Sequence, residues 1–151
     1  LNNFIATGFY IGEKSPAPGT AASILAAVII FILSTFFPDL PPSIYWVLLI
    51  ILTFVGIVTA GNYEESSKEI DPPQVVIDEI AGFFIAMAFL PVTPGVLITA
   101  LIIFRVIDIA KVYPMNKLEI VAGGLGIMLD DIYAGIITNI ILRVVLFFLA
   151  G

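Results

Sequence analysis

Long apolar segments constrain this chain more than any other feature of its sequence. Each of them is roughly 18–24 residues long, and a helix of about 20 residues crosses the roughly 30 Å hydrocarbon core of a bilayer. Five are present: Gly19–Phe37, Ser43–Gly61, Val75–Val92, Gly95–Tyr113 and Ile127–Ala150. Strands of a membrane barrel are about half as long and alternate in polarity. The pattern therefore predicts an all-α, polytopic membrane bundle with about five transmembrane helices.

The composition supports this prediction. Apolar residues make up 60% of the chain and charged residues 12%, whereas soluble domains average about 45–50% apolar and 25% charged residues. The length of 151 residues fits one membrane-embedded domain over residues 1–151. The stretch LNNFIATGFY lacks the basic start and long apolar run of a cleavable signal peptide, so we expect insertion through the internal segments.

The basic residues predict the orientation, because Lys and Arg are enriched in cytoplasmic loops. The short connections FPDLPPS and PVTPG contain neither, whereas the N-terminal stretch and the two longer polar connections contain Lys14, Lys68, Lys111 and Lys117. With five crossings, the N-terminus and both polar connections would lie on the cytoplasmic face. Arg143, inside the fifth segment, would extend to the interface or pair within the bundle.

Four polar clusters would meet at that face. SPAPGTAAS opens the first segment, DPPQVVIDEIAG the third and GGLGIMLDD the fifth, while FRVIDIAKVYP closes the fourth. In the first cluster, Thr20 suits a helix N-cap and Ser23 lies one turn further on. Alternatively, the free amides of the helix N-terminus and these two hydroxyls, approached by Lys14, would bind a phosphate.

Acidic residues open the third and fifth segments. The helix dipole favours Asp78 and Glu79 in a first turn, but adjacent side chains point about 100° apart, so at least one should face the bundle. Gly82, on the face of Glu79, would let another helix pack close to that carboxylate. Asp130 and Asp131 follow a glycine-rich stretch that allows close backbone approach, and a simple first-turn role would need only one of them.

Charged residues also form a stripe on the fourth helix. Arg105, Asp108 and Lys111 are three residues apart, which is compatible with an intrahelical ion pair that makes both charges tolerable. Charges within membrane helices, however, usually face the interior and mark function. Up to five carboxylates would then converge, and an all-oxygen set favours Mg²⁺ or a similar hard cation. Together with the basic residues, such a site indicates a lipid phosphate substrate.

Other chemistry is excluded by composition. The chain has no Cys and no His, so thiolate and imidazole nucleophiles are absent. The net charge of -6 argues against nucleic-acid binding, and we expect no obligate protein partner. The remaining routes for a phosphatase are metal-activated water or an aspartate nucleophile.

At these residues the chain resembles the phosphatidylglycerophosphatase A family of bacterial membrane lipid phosphatases. The matching pieces are ATGF, SPAPGT with Ser23, DEIAG, FRVIDIAK with Pro114, and GGLGIMLDDIYAG, in the family order and over nearly the whole chain. Ala22 and Val112 depart from residues common in the family. The resemblance implies Mg²⁺-dependent hydrolysis of phosphatidylglycerophosphate to phosphatidylglycerol and inorganic phosphate, by a phosphatase domain in the bacterial inner membrane.

The family's motif carboxylates fall on five residues of this chain: Asp78, Glu79, Asp108, Asp130 and Asp131. Our hypothesis is that Glu79, Asp130 and Asp131 hold one or two Mg²⁺ ions. Asp78 or Asp108 would orient or deprotonate the attacking water. The phosphate-binding residues would be Lys14, Thr20, Ser23, Arg105 and Lys111.

Two other functions share part of this pattern. A CDP-alcohol phosphotransferase also gathers aspartates and Mg²⁺ in a membrane bundle, but its Asp-Gly-x-x-Ala-Arg string is absent from the sequence. A small ion transporter would place carboxylates near the midplane on broken helices, whereas here they cluster at one predicted face.

Overall fold

The computed structural model describes residues 1–111 and 123–150, and the side chains up to residue 149. Within these ranges every regular element is an α-helix. Two short N-terminal helices are followed by five longer ones: α1 (Asn2–Ala6), α2 (Ile11–Lys14), α3 (Pro18–Phe36), α4 (Pro42–Ser67), α5 (Ile77–Ala86), α6 (Pro94–Ala110) and α7 (Gly124–Ala150). The prediction of an all-α bundle is confirmed for the described residues. Val112, Pro114 and Lys117 lie outside them, as does the end of the fourth predicted segment.

Within residues 1–111 and 123–149, three helices are long and apolar enough to cross a membrane: α3, α4 and residues Gly124–Leu149 of α7. Many of their large apolar side chains are exposed, among them Phe54 and Phe147 at 67% and 75%. Such surface is stable against lipid but not against water. The protein is therefore membrane-associated.

The third apolar segment differs from its prediction. A continuous helix over Val75–Val92 is wrong for the last third, because α5 ends at Ala86 after 10 residues. Turns follow, and Phe89 adopts a left-handed φ of 57°. The helix rises only about 15 Å, roughly half of the hydrocarbon core.

The following helix begins with a clear sequence signal. Thr93 is the N-cap of α6, where its hydroxyl accepts a hydrogen bond from the Val96 amide at 3.3 Å, and Pro94 occupies the first helical position. Both residue types are favoured there. At the other end, Lys111 caps the helix with a left-handed φ of 45°.

Among the five longer helices, α5 packs against the other four. The starts of α3, α5 and α7 lie at the same end of the bundle as the last turns of α4 and α6, so these helices alternate in direction. Close glycine contacts fix two of these packings. A Cβ on Gly124 would meet the carbonyl oxygen of Ile57 and lie 2.6 Å from the Gly61 amide, which joins the end of α4 to the start of α7. A Cβ on Gly135 would meet the carbonyl oxygen of Gly82. Small residues at such crossings let helix backbones touch.

The N-terminal helices α1 and α2 hold the loop that leads into α5. The Val76 amide donates to the Ala6 carbonyl at 2.9 Å, and a Cβ on Gly12 would meet the Gln74 carbonyl oxygen. As a result, the loop before α5 is held between α1 and α2. The first turn of α5, with its two acidic residues, therefore starts from a fixed point.

Candidate active site

A polar cavity of about 290 Å³ lies where the polar helix ends meet. Its walls come from the start of α3, the loop before α5, the first turn of α5, the end of α6 and the start of α7. The charged residues that line it are Asp71, Asp78, Glu79, Asp108, Lys111, Asp130 and Asp131. All five carboxylates that the sequence predicted to converge are among them.

Three of these carboxylates form the tightest group. Asp78, Glu79 and Asp131 each offer an oxygen, and these oxygens lie within 4.8 Å of one another. The buried atoms Asp78 Oδ1 and Glu79 Oε2 have no hydrogen-bond partner among the described residues. Buried, unpaired carboxylate oxygens are costly unless a cation binds them. The group therefore fits a hard cation that prefers oxygen ligands.

Gly19 and Arg105 complete one wall of the site. The Arg105 Nη1 atom lies 2.6 Å from Asp108 Oδ2 on its own helix and 3.8 Å from Glu79 Oε1 on α5. A Cβ on Gly19 would lie 2.9 Å from both terminal nitrogens of Arg105 and would collide with Glu79 Oε1. The start of α3 thus approaches the guanidinium and the carboxylate because residue 19 has no side chain. The ion pair is both intrahelical and a link between α6 and α5.

Lys111 forms the opposite wall. Its Nζ atom lies 2.8 Å from Asp130 Oδ2, so the end of α6 is tied to the start of α7. The sequence assigned Asp130 to the metal and Asp78 to catalysis. In the structure, Asp78 belongs to the converging group and Asp130 is paired with a lysine instead.

The predicted phosphate-binding residues at the N-terminal side are less well placed. Ser23 is buried and its hydroxyl donates to the Gly19 carbonyl at 2.8 Å, within its own helix. Lys14 and Thr20 are exposed, and neither lines the cavity. The N-cap interpretation of Thr20 is wrong, because Ala17 is the N-cap of α3 and Pro18 occupies the first turn.

Sequence reasoning missed Asp71, which lines the cavity on the loop before α5. It adopts a left-handed φ of 50° and is followed by Pro72 and Pro73. Asp tolerates this conformation better than most residues, and two prolines fix the chain after it. The available signal was the string DPP, which belongs to the polar cluster that opens the third segment.

Carboxylates able to hold a cation, with an arginine and a lysine beside them at the ends of apolar helices, define a membrane enzyme that acts on a phosphate group. Comparison with known proteins supports this class. The sequence profile of the family described as Phosphatidylglycerophosphatase A matches residues 4–146. The chain belongs to the phosphatidylglycerophosphatase A family.

Three relatives are similar over most of their length. A Bacteroides thetaiotaomicron protein named "Putative phosphatidylinositol-3-phosphatase" is 36% identical, over 93% of this chain and 90% of the relative. Phosphatidylglycerophosphatase A of Escherichia coli K12 is 33% identical, over 90% and 78%. The enzyme of the same name from Haemophilus influenzae is 29% identical, over 92% and 85%. No solved structure is significantly similar.

Proposed function

We propose that this chain is a Mg²⁺-dependent lipid phosphatase that hydrolyses phosphatidylglycerophosphate to phosphatidylglycerol and inorganic phosphate. The observation that carries the proposal is the match of the family over residues 4–146 together with the cavity that its motif residues line. The membrane-associated helices bring this cavity to lipid, so a phosphomonoester on a phospholipid headgroup is a suitable substrate.

Asp78, Glu79 and Asp131 are the proposed metal ligands, supported by the 4.8 Å limit on the separations of their oxygens. A hard divalent cation held there would neutralise charge on the phosphate and generate a nucleophilic water. Asp130 also lines the cavity. Its Oδ2 atom is paired with Lys111, and its buried Oδ1 atom has no hydrogen-bond partner among the described residues.

Arg105 and Lys111 are the proposed phosphate ligands, because each already lies beside a carboxylate of the cavity. Their positive charge would stabilise the negative charge that develops on the phosphoryl oxygens. Asp108 is the proposed base: it would accept a proton as the water oxygen bonds to phosphorus. The bond from phosphorus to the glycerol oxygen then breaks, and that oxygen takes up the proton held by Asp108, so that the carboxylate is ionised again. Lys14, Thr20 and Ser23 remain proposed phosphate ligands; the buried Ser23 hydroxyl would have to leave the Gly19 carbonyl to bind the phosphate.

We further propose five crossings of the bacterial inner membrane with the cavity at the cytoplasmic face. The alternating directions of α3 to α7 support this topology, with α5 and its following turns as the third crossing. Because the chain lacks cysteine, Asp39→Cys and Glu65→Cys would each carry one label site. An impermeant maleimide should label the first in intact cells and the second only after permeabilisation; the reverse pattern would contradict the orientation.

The test of the activity is phosphate release by the purified protein in detergent. We expect release from phosphatidylglycerophosphate that requires Mg²⁺ and stops when the metal is chelated. Phosphatidylinositol 3-phosphate and phosphatidic acid should be assayed in parallel, since the name of the Bacteroides relative points to the first of these. Absence of Mg²⁺-dependent release from phosphatidylglycerophosphate would contradict the proposal.

A further inference from the structure

Two polar side chains of α7 bind the C-terminal end of α5, far from the reacting groups. Asn139 Nδ2 donates hydrogen bonds to the carbonyl oxygens of Ala86 at 2.9 Å and Ala88 at 3.0 Å. Arg143 donates to the same Ala88 oxygen at 2.9 Å and, through Nε, to Asn139 Oδ1 at 2.8 Å. The last bond orients the amide so that its NH₂ group faces α5. We call Asn139 and Arg143 the α5 clamp.

The end of α5 needs such donors. In a continuing helix, the amide of Leu90 would bond to the Ala86 carbonyl, but it donates to Met87 at 3.1 Å instead. Free carbonyl groups are costly at membrane depth, where water cannot replace the missing donor. The clamp supplies the donors from a neighbouring helix, which explains why α5 can end after ten residues.

The clamp and the converging carboxylates connect the same two helices, α5 and α7. α5 and α7 run away from the cavity in the same direction, and Asp78 is as far from Ala86 along α5 as Asp131 is from Asn139 along α7. Each interval corresponds to about 12 Å of helix. The hydrogen bonds of the clamp, at the ends of these intervals that are distant from the cavity, therefore limit how far α5 can slide along α7. They also limit the separation between the carboxylates of α5 and α7 at the cavity.

We propose that Asn139, oriented by Arg143, is a positioning residue of the active site. It holds α5 at the axial register on α7 in which the oxygens of Asp78, Glu79 and Asp131 converge. This inference rests on the proposed function, since a cation-dependent phosphatase is what requires these oxygens at that spacing. Loss of the clamp should weaken cation binding more than it lowers turnover at saturating cation.

The test uses Asn139→Leu, which removes both donors and the acceptor and keeps the number and branching of the side-chain heavy atoms. Mn²⁺ affinity is measured on the purified full-length protein from the electron paramagnetic resonance signal of free Mn²⁺. We expect binding about tenfold weaker than in the wild type, at the lower end of what loss of an orienting partner costs a metal site. The Mg²⁺ concentration for half-maximal phosphate release should rise equally, and turnover at saturating Mg²⁺ should recover.

Thr138→Val is the matched control. Thr138 is buried next to Asn139, but its hydroxyl donates to the Ala134 carbonyl of its own helix at 2.8 Å. This variant should bind Mn²⁺ like the wild type. Arg143→Leu should weaken Mn²⁺ binding less than Asn139→Leu, and Arg143→Lys, which keeps a donor for Ala88, should restore most of the loss.

The outcomes separate the two proposals. A monodisperse Asn139→Leu protein with wild-type Mn²⁺ affinity would overturn the positioning role. Should that variant fail to fold, equal affinities of Arg143→Leu, Arg143→Lys and the wild type would overturn it. If the wild-type protein releases no phosphate from the lipid substrate, the proposed function fails, and the Mn²⁺ series still decides the role of the clamp.

Discussion

Gly82 and Asp131 bring the backbones of α5 and α7 into direct contact beside the converging carboxylates. A Cβ on Gly82 would lie 2.5 Å from the carbonyl oxygen of Asp131 and 2.9 Å from its Cβ. These are atoms of a helix backbone and its first side-chain atom, which cannot rotate out of the way. The distance between the two helices, and so between Asp78 and Asp131, depends on residue 82 having no side chain.

Gly82→Ala should therefore impair the site and the fold together. Overpacking of a tight interface costs about 1–3 kcal/mol, and the helices would have to move apart at the carboxylates. We expect a lower thermal midpoint and at least about a tenfold loss of kcat/KM, since small misplacements of reacting groups are costly. Thermal unfolding and phosphate release in detergent would measure the two effects.

Gly95→Ala is the control for this substitution. It lies in the first turn of α6, and a Cβ there would have no other atom within 4 Å beyond its own neighbourhood. Alanine also favours a helix over glycine by up to about 1 kcal/mol. Activity should stay at the wild-type level. Equal activity of both variants would show that close contact at Gly82 does not set the geometry of the site.

Sequence alone predicted much of this arrangement. The prediction that successive apolar segments reverse the direction of the chain was enough to bring the polar ends together, and in the structure these ends line one cavity. Gly82 was recognised from its place one turn after Glu79, since helical spacing fixes which residues share a face. Both features depend on local periodicity, which a sequence displays directly.

The end of α5 could not be predicted in the same way. After Asp78 and Glu79 the segment Val75–Val92 is apolar up to Pro91, which lies five residues beyond Ala86, so nothing in the segment marks a stop at Ala86 itself. The stop depends on Asn139, which is 53 positions away from Ala86. Arg143 was expected to reach the interface or pair within the bundle, and it pairs. Its partners, however, depend on tertiary packing that the sequence does not display.

The grouping of the carboxylates was also only partly predictable. Their convergence follows from topology, but topology does not determine which of them are paired with basic side chains. Asp108 and Asp130 are each paired with a basic side chain at 2.6 and 2.8 Å, whereas Asp78 and Asp131 form no salt bridge among the described residues. Which acids are neutralised by Arg105 and Lys111 depends on the depth of each helix end, and this is a property of packing.

Asp131→Asn should abolish phosphate release without preventing membrane insertion. The amide keeps the size of the side chain but removes the charge that one of the three converging oxygens brings to the cation. We expect a loss of at least about a hundredfold in turnover, comparable to removal of a key electrostatic group in other enzymes. Release of phosphate from purified protein, matched for amount in the membrane fraction, would measure it.

Asp39→Asn makes the same change of charge outside the site. Asp39 is exposed in the turn between α3 and α4, at the opposite end of the bundle from the cavity. Its activity should equal that of the wild type. Near-normal turnover by Asp131→Asn would eliminate the role of Asp131 as a ligand.

Lys111→Met should separate cation binding from phosphate turnover. Removal of a positive charge 2.8 Å from Asp130 makes the cavity more negative, and nearby charges of opposite sign attract at this range even when partly solvated. We expect tighter Mn²⁺ binding but a lower kcat/KM for the lipid, because the phosphate loses a cationic partner. Lys111→Arg should retain more of the turnover. A variant with weaker Mn²⁺ binding would contradict this role for Lys111.

Chelation of the metal should lower stability as well as activity. If the native state alone binds the cation, Mg²⁺ at a hundred times its dissociation constant adds about 2.7 kcal/mol to the free energy of unfolding. For a chain of this size that corresponds to a rise of roughly 5–10 °C in the thermal midpoint. Thermal unfolding in EDTA and in excess Mg²⁺ would measure it.

The rise in the thermal midpoint should disappear in Asp78→Asn, which removes an unpaired, buried carboxylate oxygen, and should persist in Asp39→Asn. A wild-type midpoint that is the same in EDTA and Mg²⁺ would mean that the three carboxylates do not hold this cation.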